Sequence, residues 1–260
     1  MNRWIQFSGL FKREVTRFCK IPLQTLGAPI VNSSLYLLIF GVSLGHSIHL
    51  ENNLSYLAFL IPGLIAMSII KNAFDNATSS IMGQKYVNEL QDCRTSPLTL
   101  QQLCFAKGLS SLTRGLLVGL ITYLVGQIFF LIFHERFLII HDSLIFIYFA
   151  VFGGFAFGNL GIAIGMWSKS FEHVGAVSML ILLPLIYLGG VFFSLENAHP
   201  FWQAISHINP LYYIINGIRY GILGTSDISF SLAASVTFFF FVVCYFLALI
   251  SLRKGSNYMR

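Results

Sequence analysis

The sequence predicts an all-α integral membrane protein: six transmembrane helices, an N-terminal amphipathic interfacial helix, and a re-entrant helical hairpin between spans five and six. Three observations predict it. The chain is 56% hydrophobic and only 10% charged, with a mean hydropathy of +0.74; it contains charge-free runs of span length; and its lysines and arginines are unevenly placed. Soluble domains carry about 25% charge. With 26 Phe in 260 residues, the apolar content exceeds what one buried core can hold, so most of it must face lipid or other spans. A soluble enzyme, a disordered chain and a secreted disulfide scaffold are thereby excluded. The net charge of +6 is not gathered into one basic domain, which speaks against nucleic acid as a partner.

In the first 22 residues, Trp4, Phe7, Phe11, Val15 and Phe18 recur at intervals of three and four, with Arg13, Arg17 and Lys20 on the other side. This pattern predicts a cytoplasmic helix lying along the inner leaflet, either as an electrostatic anchor on anionic lipid or as a contact for a cytoplasmic partner. It is basic and amphipathic, not a continuous apolar stretch, so no cleavable signal peptide is expected.

A helical span needs roughly 20 nearly uncharged residues. Charge-free windows run 21–50, 52–70, 115–134, 143–168, 173–195, 197–218 and 228–252, the second continuing past Lys71 and Asp75. The window 197–218 carries Pro200, Pro210, two His and three Asn, too polar and interrupted for a lipid-facing helix. It reads instead as two short helices, the second capped by Asn209 and opened by Pro210, with Leu211, Ile214, Ile218 and Ile222 on one face.

Six spans with both termini cytoplasmic put 14 of the 16 basic residues inside, leaving only Arg136 and Arg219 outside, while the acidic residues split five and five. A seventh span would carry Arg253, Lys254 and Arg260 outward, so basic-residue placement selects six. The transmembrane region is 23–252 and the cytoplasmic tail 253–260. Cys19, Cys93, Cys104 and Cys244 fall on the inner side or within the membrane, so disulfides are not expected.

The insert 83–107 mixes both charge signs around a Ser96-Pro97 pair suited to separating two helices; it either connects two spans or docks a cytoplasmic protein. Lys71 and Asp75 stand four apart, which suits an intrahelical pair or the lining of a hydrated path. Gly41 and Gly45, Gly115 and Gly119, and Gly154, Gly158, Gly161 and Gly165 mark close helix contacts, within one subunit or between two. His46 and His49 lack the further ligands a metal site needs. No phosphate loop, HExxH or GxSxG occurs, and the acidic residues are scattered singly, so neither a catalytic nor a metal nor a cofactor site is expected in this chain.

The basic helix, the six spans, the polar insert and the broken hairpin together resemble the permease subunits of type-2 ATP-binding-cassette exporters (ABC-2). The resemblance spans essentially the whole chain and is closest to the YadH-like branch. It rests on LAFLIPGLIAMSII, on NEL…SPLT…AKGL…RGLLVG, and most specifically on LPLIYLGGVFFSLENAHPFWQAISHINPLYYIINGIRYGILG. It implies a bacterial inner-membrane exporter subunit, acting as a homodimer on two separate ATPase subunits that hold the ATP and Mg. It implies a coupling segment in 83–107 with Glu89, Leu90, Arg94, Ser96, Pro97 and Leu98, and an N-terminal ATPase contact through Arg13 and Arg17. It further implies an outer lid at 194–224 with Trp202, Asn209, Pro210, Tyr212 and Arg219, and a gate near Gly189, Gly190, Phe192 and Phe193. Lys71 and Asp75 depart from a stretch expected to be neutral in such proteins and are candidates for the translocation path. The aromatic lid suits a hydrophobic, amphiphilic or lipid-linked cargo, with polysaccharide or drug as other cargoes. An autonomous ion-coupled transporter is the rival, but it would place ionisable groups in several spans. A membrane-embedded enzyme and a structural assembly factor are weaker rivals.

Overall fold

The computed structural model describes residues 3–43, 55–89, 99–195 and 199–254. All secondary structure among them is helical. Helix α1 (Arg3–Cys19) precedes six helices long and apolar enough to cross a membrane: α2 (Leu23–Ser43), α3 (Tyr56–Tyr86), α4 (Leu100–His134), α5 (Ser143–Trp167), α6 (Phe171–Leu188) and α9 (Phe230–Lys254). Between the last two lie the short helices α7 (Pro200–Ile208) and α8 (Pro210–Leu223).

Local chemistry explains the boundaries. Ser55 accepts from the Ala58 amide at the start of α3, Thr99 forms a reciprocal capping box with Gln102 at the start of α4, and Asp142 accepts from Leu144 and Ile145 at the start of α5. At the other end of α5, Lys85 of α3 donates to the carbonyls of Gly165, Met166 and Ser168, groups that have no partner within their own helix. In α2 and α6, α-helical turns are interrupted by wider π-type turns at Leu23–Gly27, Leu37–Ser43 and Ser178–Leu182.

Helix α3 is the centre of the bundle: 83% of its apolar window is buried, against 11% for α6. It packs most extensively on α4 and α5, and α5 in turn packs on α8 and α9. The predicted small-residue stripes form these contacts within the chain. A Cβ on Gly161 would sit 2.6 Å from the Phe74 carbonyl oxygen, and one on Gly115 would sit 2.7 Å from that of Ile69. The backbones of α4 and α5 approach α3 this closely only because those positions lack a side chain. Gly45 lies outside the described residues.

Third-span helicity begins at Leu100, well before the charge-free window at 115, and carries Lys107 and Arg114 inside the helix. Likewise, the second-span helix runs through Lys71, Asp75 and Lys85 to Tyr86. The insert 83–107 is thus entered from both sides by spanning helices. A window that tolerates no charge misses this, because the charges have protein partners.

The clearest case joins α1 to α3 and α4. The Lys107 ammonium donates to Glu14 at 3.0 Å and to the Ser80 hydroxyl at 2.8 Å; that hydroxyl donates to Glu14 at 2.8 Å, and Gln84 donates to it at 3.3 Å. Glu14 and Lys107 are each 1% exposed. Arg17 donates to Glu14, to the Ser79 hydroxyl, and to both oxygens of Asn76. The inward stripe of α1 is therefore Leu10, Glu14 and Phe18, with a carboxylate in the middle of the apolar face, while Trp4 is exposed. Burial pushes the Glu14 carboxyl up, but Lys107, the Ser80 hydrogen bond and Arg17 together outweigh it and hold the group down at about 2.

Two outcomes follow from this packing. Gly161→Ala lowers the thermal midpoint of the detergent-solubilised protein, at a cost of about 1–3 kcal/mol for overpacking, whereas Gly9→Ala, which meets no atom within 4 Å, leaves it unchanged or raised. Glu14→Gln removes the carboxylate charge facing the buried Lys107 and destabilises by about 3 kcal/mol at pH 7, and Glu14→Leu combined with Lys107→Met recovers much of that loss. Because the folded carboxyl lies below its ordinary value of 4.5, the wild-type advantage over Glu14→Gln is full above about 4.5 and fades as pH falls toward about 2, which melting curves across pH measure directly.

Candidate functional site

Three regions gather the residues singled out in the sequence. The first lies where α6 ends. Helix α6 stops at Leu188, and the chain turns through Gly189 and Gly190; Gly190 has φ +83°, a left-handed conformation that a side chain would strain. The carbonyls left over at this end are taken by the hairpin. Asn209 donates to Leu185 at 2.6 Å, Ser206 to Leu188 at 2.8 Å and Arg219 to Gly190 at 2.6 Å, while Gln203 donates to Leu195 at 2.9 Å. Asn209 also caps α8 by accepting from the Leu211 amide, with Pro210 in the first turn.

Arg219 is 2% exposed, its guanidinium carbon lying 3.9 Å from the centroid of the Phe59 ring, with a further hydrogen bond to Asn216. Leu211, Ile214, Ile218 and Ile222 are buried as their spacing predicts, but so are Tyr212, Tyr213 and Ile215, so α8 is enclosed on most sides. Its far end is pinned to α5, where the Asp142 amide donates to the Gly221 carbonyl at 2.8 Å. Of the residues assigned to a lid, Trp202 is the surface-exposed one and stacks edge-on against Phe201; Asn209, Tyr212 and Arg219 are buried and hold the hairpin in place.

Beside this turn, Phe192 packs on Tyr36 and Phe40 of α2 and on Tyr187 of α6, with ring centroids 5.0–5.6 Å apart. Its carbonyl accepts from the Tyr56 hydroxyl of α3 at 2.7 Å. The Gly189–Phe192 turn therefore touches α2, α3 and α8 together, whereas Phe193 points to the surface.

The second region is a cavity of about 340 Å3 between α2, α3, α4 and α6, lined by Tyr36, Lys71, Asn72, Asp75, Arg114 and Tyr187 among others. Lys71 and Asp75 are bonded at 2.6 Å, as their spacing on one helix face allows, and both also face this space. An adjoining trough of about 520 Å3 shares Lys71, Asp75 and Arg114 and continues along Phe171, Val174 and Met179 of α6. Sequence reasoning treated Arg114 only as a cytoplasmic charge. Its place one helix over from Asp75 needs the α3–α4 packing, which a lone sequence does not supply.

The third region is a shallow basic groove of about 630 Å3 on α1, lined by Lys12, Arg13, Arg17 and Lys20 together with Gln84 and Glu89. Arg13 reaches Glu89 at 3.8 Å, so these two predicted contact residues share one surface. Arg17 instead turns most of its donors inward to α3. Leu90, Arg94, Ser96, Pro97 and Leu98 lie outside the described residues, as do His46, His49 and Cys93. Sequence reasoning also missed Glu14. Its signal was an acidic residue placed on the apolar stripe of an otherwise basic helix. Among the described residues, no group of three or more His, Cys, Asp or Glu side chains comes together as a metal site.

Comparison with known proteins places this geometry. The family model for the ABC-2 type transporter matches residues 5–223. The chain is similar to the inner membrane transport permease YadH of Escherichia coli K12, with 33% identity over 254 residues, covering 98% of this chain and 97% of that protein. It is more distantly similar to nodulation protein J of Neorhizobium galegae, at 21% identity over 257 residues, covering 96% and 94%, and to nodulation protein J of Sinorhizobium fredii NGR234, at 24% over 254 residues, covering 97% and 94%. From α1 through the hairpin, this multi-pass helical chain is a permease belonging to the ABC-2 type transporter family.

Proposed function

We propose that the chain is the membrane subunit of an inner-membrane exporter. It works as a homodimer, with both termini cytoplasmic, on two copies of a separate cytoplasmic ATPase that bind ATP and Mg, and it moves a hydrophobic, amphiphilic or lipid-linked cargo. The observation that carries the coupling part is the buried Glu14–Lys107–Ser80 cluster. It ties α1 to the ends of α3 and α4, the two helices that flank the insert. A push on that end moves three helices as one body, because opening the cluster would strand a buried charge.

The coupling surface is formed by Glu89 with Leu90, Arg94, Ser96, Pro97 and Leu98, continued by Arg13 on α1. Closure of the ATPases would move it, and α3 would carry the displacement to the Gly189–Phe192 turn. The hairpin would cover the outer mouth, with Trp202 on its surface. Lys71 and Asp75 would line the path. The least buried span, α6, supplies the dimer face: it borders a cavity holding three charged side chains, which open hydrocarbon would cover only at high cost.

A tagged copy purified from native membrane in mild detergent is expected to bring down a phosphate-loop ATPase, and Glu89→Ala with Arg94→Ala is expected to lose it; recovery of the chain alone in every mild detergent tried would refute the reading. With the four native cysteines replaced by serine, Leu180→Cys on the exposed face of α6 should cross-link to a second copy in oxidised membranes, while Phe239→Cys on α9 should not. Cross-linking through Phe239→Cys alone would move the dimer face to α9.

A further inference from the structure

We infer that the cavity between α2, α3, α4 and α6 binds the anionic head of an amphiphile, with Arg114 taking its charge and the trough along α6 taking its apolar body. The site deepens the permease reading, but its binding chemistry stands without the ATPase.

The charge balance points to an anion. The cavity lining includes Lys71, Asp75 and Arg114, a surplus of one positive charge. Lys71 and Asp75 satisfy one another at 2.6 Å. Arg114 is left poorly served. Its Nη1 reaches the Asn76 side-chain oxygen only at 3.5 Å, and that oxygen already accepts from Arg17 at 2.9 Å. The Arg114 Nε is buried with no hydrogen-bond partner. Asp75 is near enough to interact with Arg114 electrostatically but is held by Lys71. Arg114 lines the cavity with its Nη1 held only by this long bond, and a guanidinium so placed is suited to a carboxylate or phosphate oxygen, which it binds through charge-assisted hydrogen bonds.

The surroundings point to an amphiphile. Asn72 and Ser68 supply polar groups beside the charge, and Leu64, Met67, Tyr36 and Tyr187 supply apolar and aromatic wall. The adjoining trough shares the same charged end and runs out over Phe171, Val174 and Met179, so a molecule anchored at Arg114 can lay a chain along α6. One negative charge attached to a hydrocarbon body matches both halves; a free sugar matches neither. Phospholipids of the bilayer and a lipid-linked cargo share this chemistry.

The test uses the purified full-length chain in detergent and three fluorescent short-chain probes: phosphatidylglycerol, phosphatidic acid and the uncharged diacylglycerol of the same chain length. Both anionic probes are expected to bind at least about tenfold more tightly than the neutral one, about 1.4 kcal/mol. Arg114→Gln should remove most of that preference and Arg114→Lys should keep part of it. Asp75→Asn, which frees Lys71, should tighten the anionic probes several-fold and leave the neutral probe unchanged, a gain that misfolding cannot imitate. Equal binding of charged and neutral probes, or no gain in Asp75→Asn, overturns the inference.

Reconstituting the chain with the captured ATPase in liposomes and adding ATP separates the two sources. Loss of the bound probe to the opposite leaflet during turnover identifies cargo, and retention through turnover identifies a resident lipid; both support the site. Anion selectivity without any ATPase partner would sink the permease mechanism and leave the site. ATPase capture without selectivity would do the reverse.

Discussion

A helix end leaves carbonyl groups that have no partner in their own helix, and the hairpin is arranged around meeting that demand at the end of α6. Ser206, Asn209 and Arg219 reach from the hairpin to the carbonyls of Leu188, Leu185 and Gly190. Because these donors lie on both sides of the α7–α8 corner, the hairpin can fold back in only one register. That register buries α8 against α5 and sets Arg219 over Phe59 of α3. The polar composition of 197–218, which forbids a lipid-facing span, is what equips the segment to finish the preceding one.

The opposite end of the bundle solves the same problem with charge. Glu14, Lys107 and Ser80 form a connected set of donors and acceptors at almost no exposure, and Arg17 extends it to Asn76 and Ser79. Such a cluster adds little net stability over a well-packed apolar one, but it is intolerant of partial opening, since any one member withdrawn breaks charge-assisted hydrogen bonds between buried groups. This all-or-none character suits a joint through which force passes between a peripheral helix and two spans. It also explains why α1 is read only in part as an interfacial helix: its apolar stripe faces protein at Leu10 and Phe18 but is uncovered at Trp4.

Much of the architecture was legible without coordinates. Six of the seven charge-free windows agree with the six long apolar helices, the seventh being the hairpin, and Asn209-Pro210 marks the start of α8 as written. Boundaries that depend on partners were not legible. The Thr99–Gln102 capping box marks the start of α4 locally, fifteen residues before the charge-free window, but the burial of Lys107 within it depends on Glu14, ninety-three residues away, and no local rule anticipates a bond of that separation. The candidate path was half legible. Lys71 and Asp75 announce themselves by spacing on one helix. Arg114 belongs to the same cavity only because Gly115 and Gly119 let α4 lie against Ile69 of α3, a contact that the glycines suggest but do not aim.

These two ends meet in α3. Its 31 residues make a rod of about 46 Å. Asn76, Ser80 and Gln84 at one end belong to the Glu14 cluster, while Tyr56 and Phe59 at the other hold Phe192 and Arg219. Between them sit Lys71 and Asp75 at the cavity, and Pro62-Gly63, where a Cβ on Gly63 would meet the Val191 carbonyl oxygen at 2.6 Å. Because the chain is packed on nearly all sides of α3, a displacement imposed at α1 cannot be absorbed by side chains bending into empty space. Under the proposed coupling it would appear as a shift of α3 along its length or as a change at Pro62, about two turns from its start, where the ring removes a backbone hydrogen bond. Such a movement would reach the Gly189–Phe192 turn directly, since the turn is held to α3 by the Tyr56 hydroxyl and the Gly63 contact and to α8 by Arg219 and the close approach of Gly189 to Ile215.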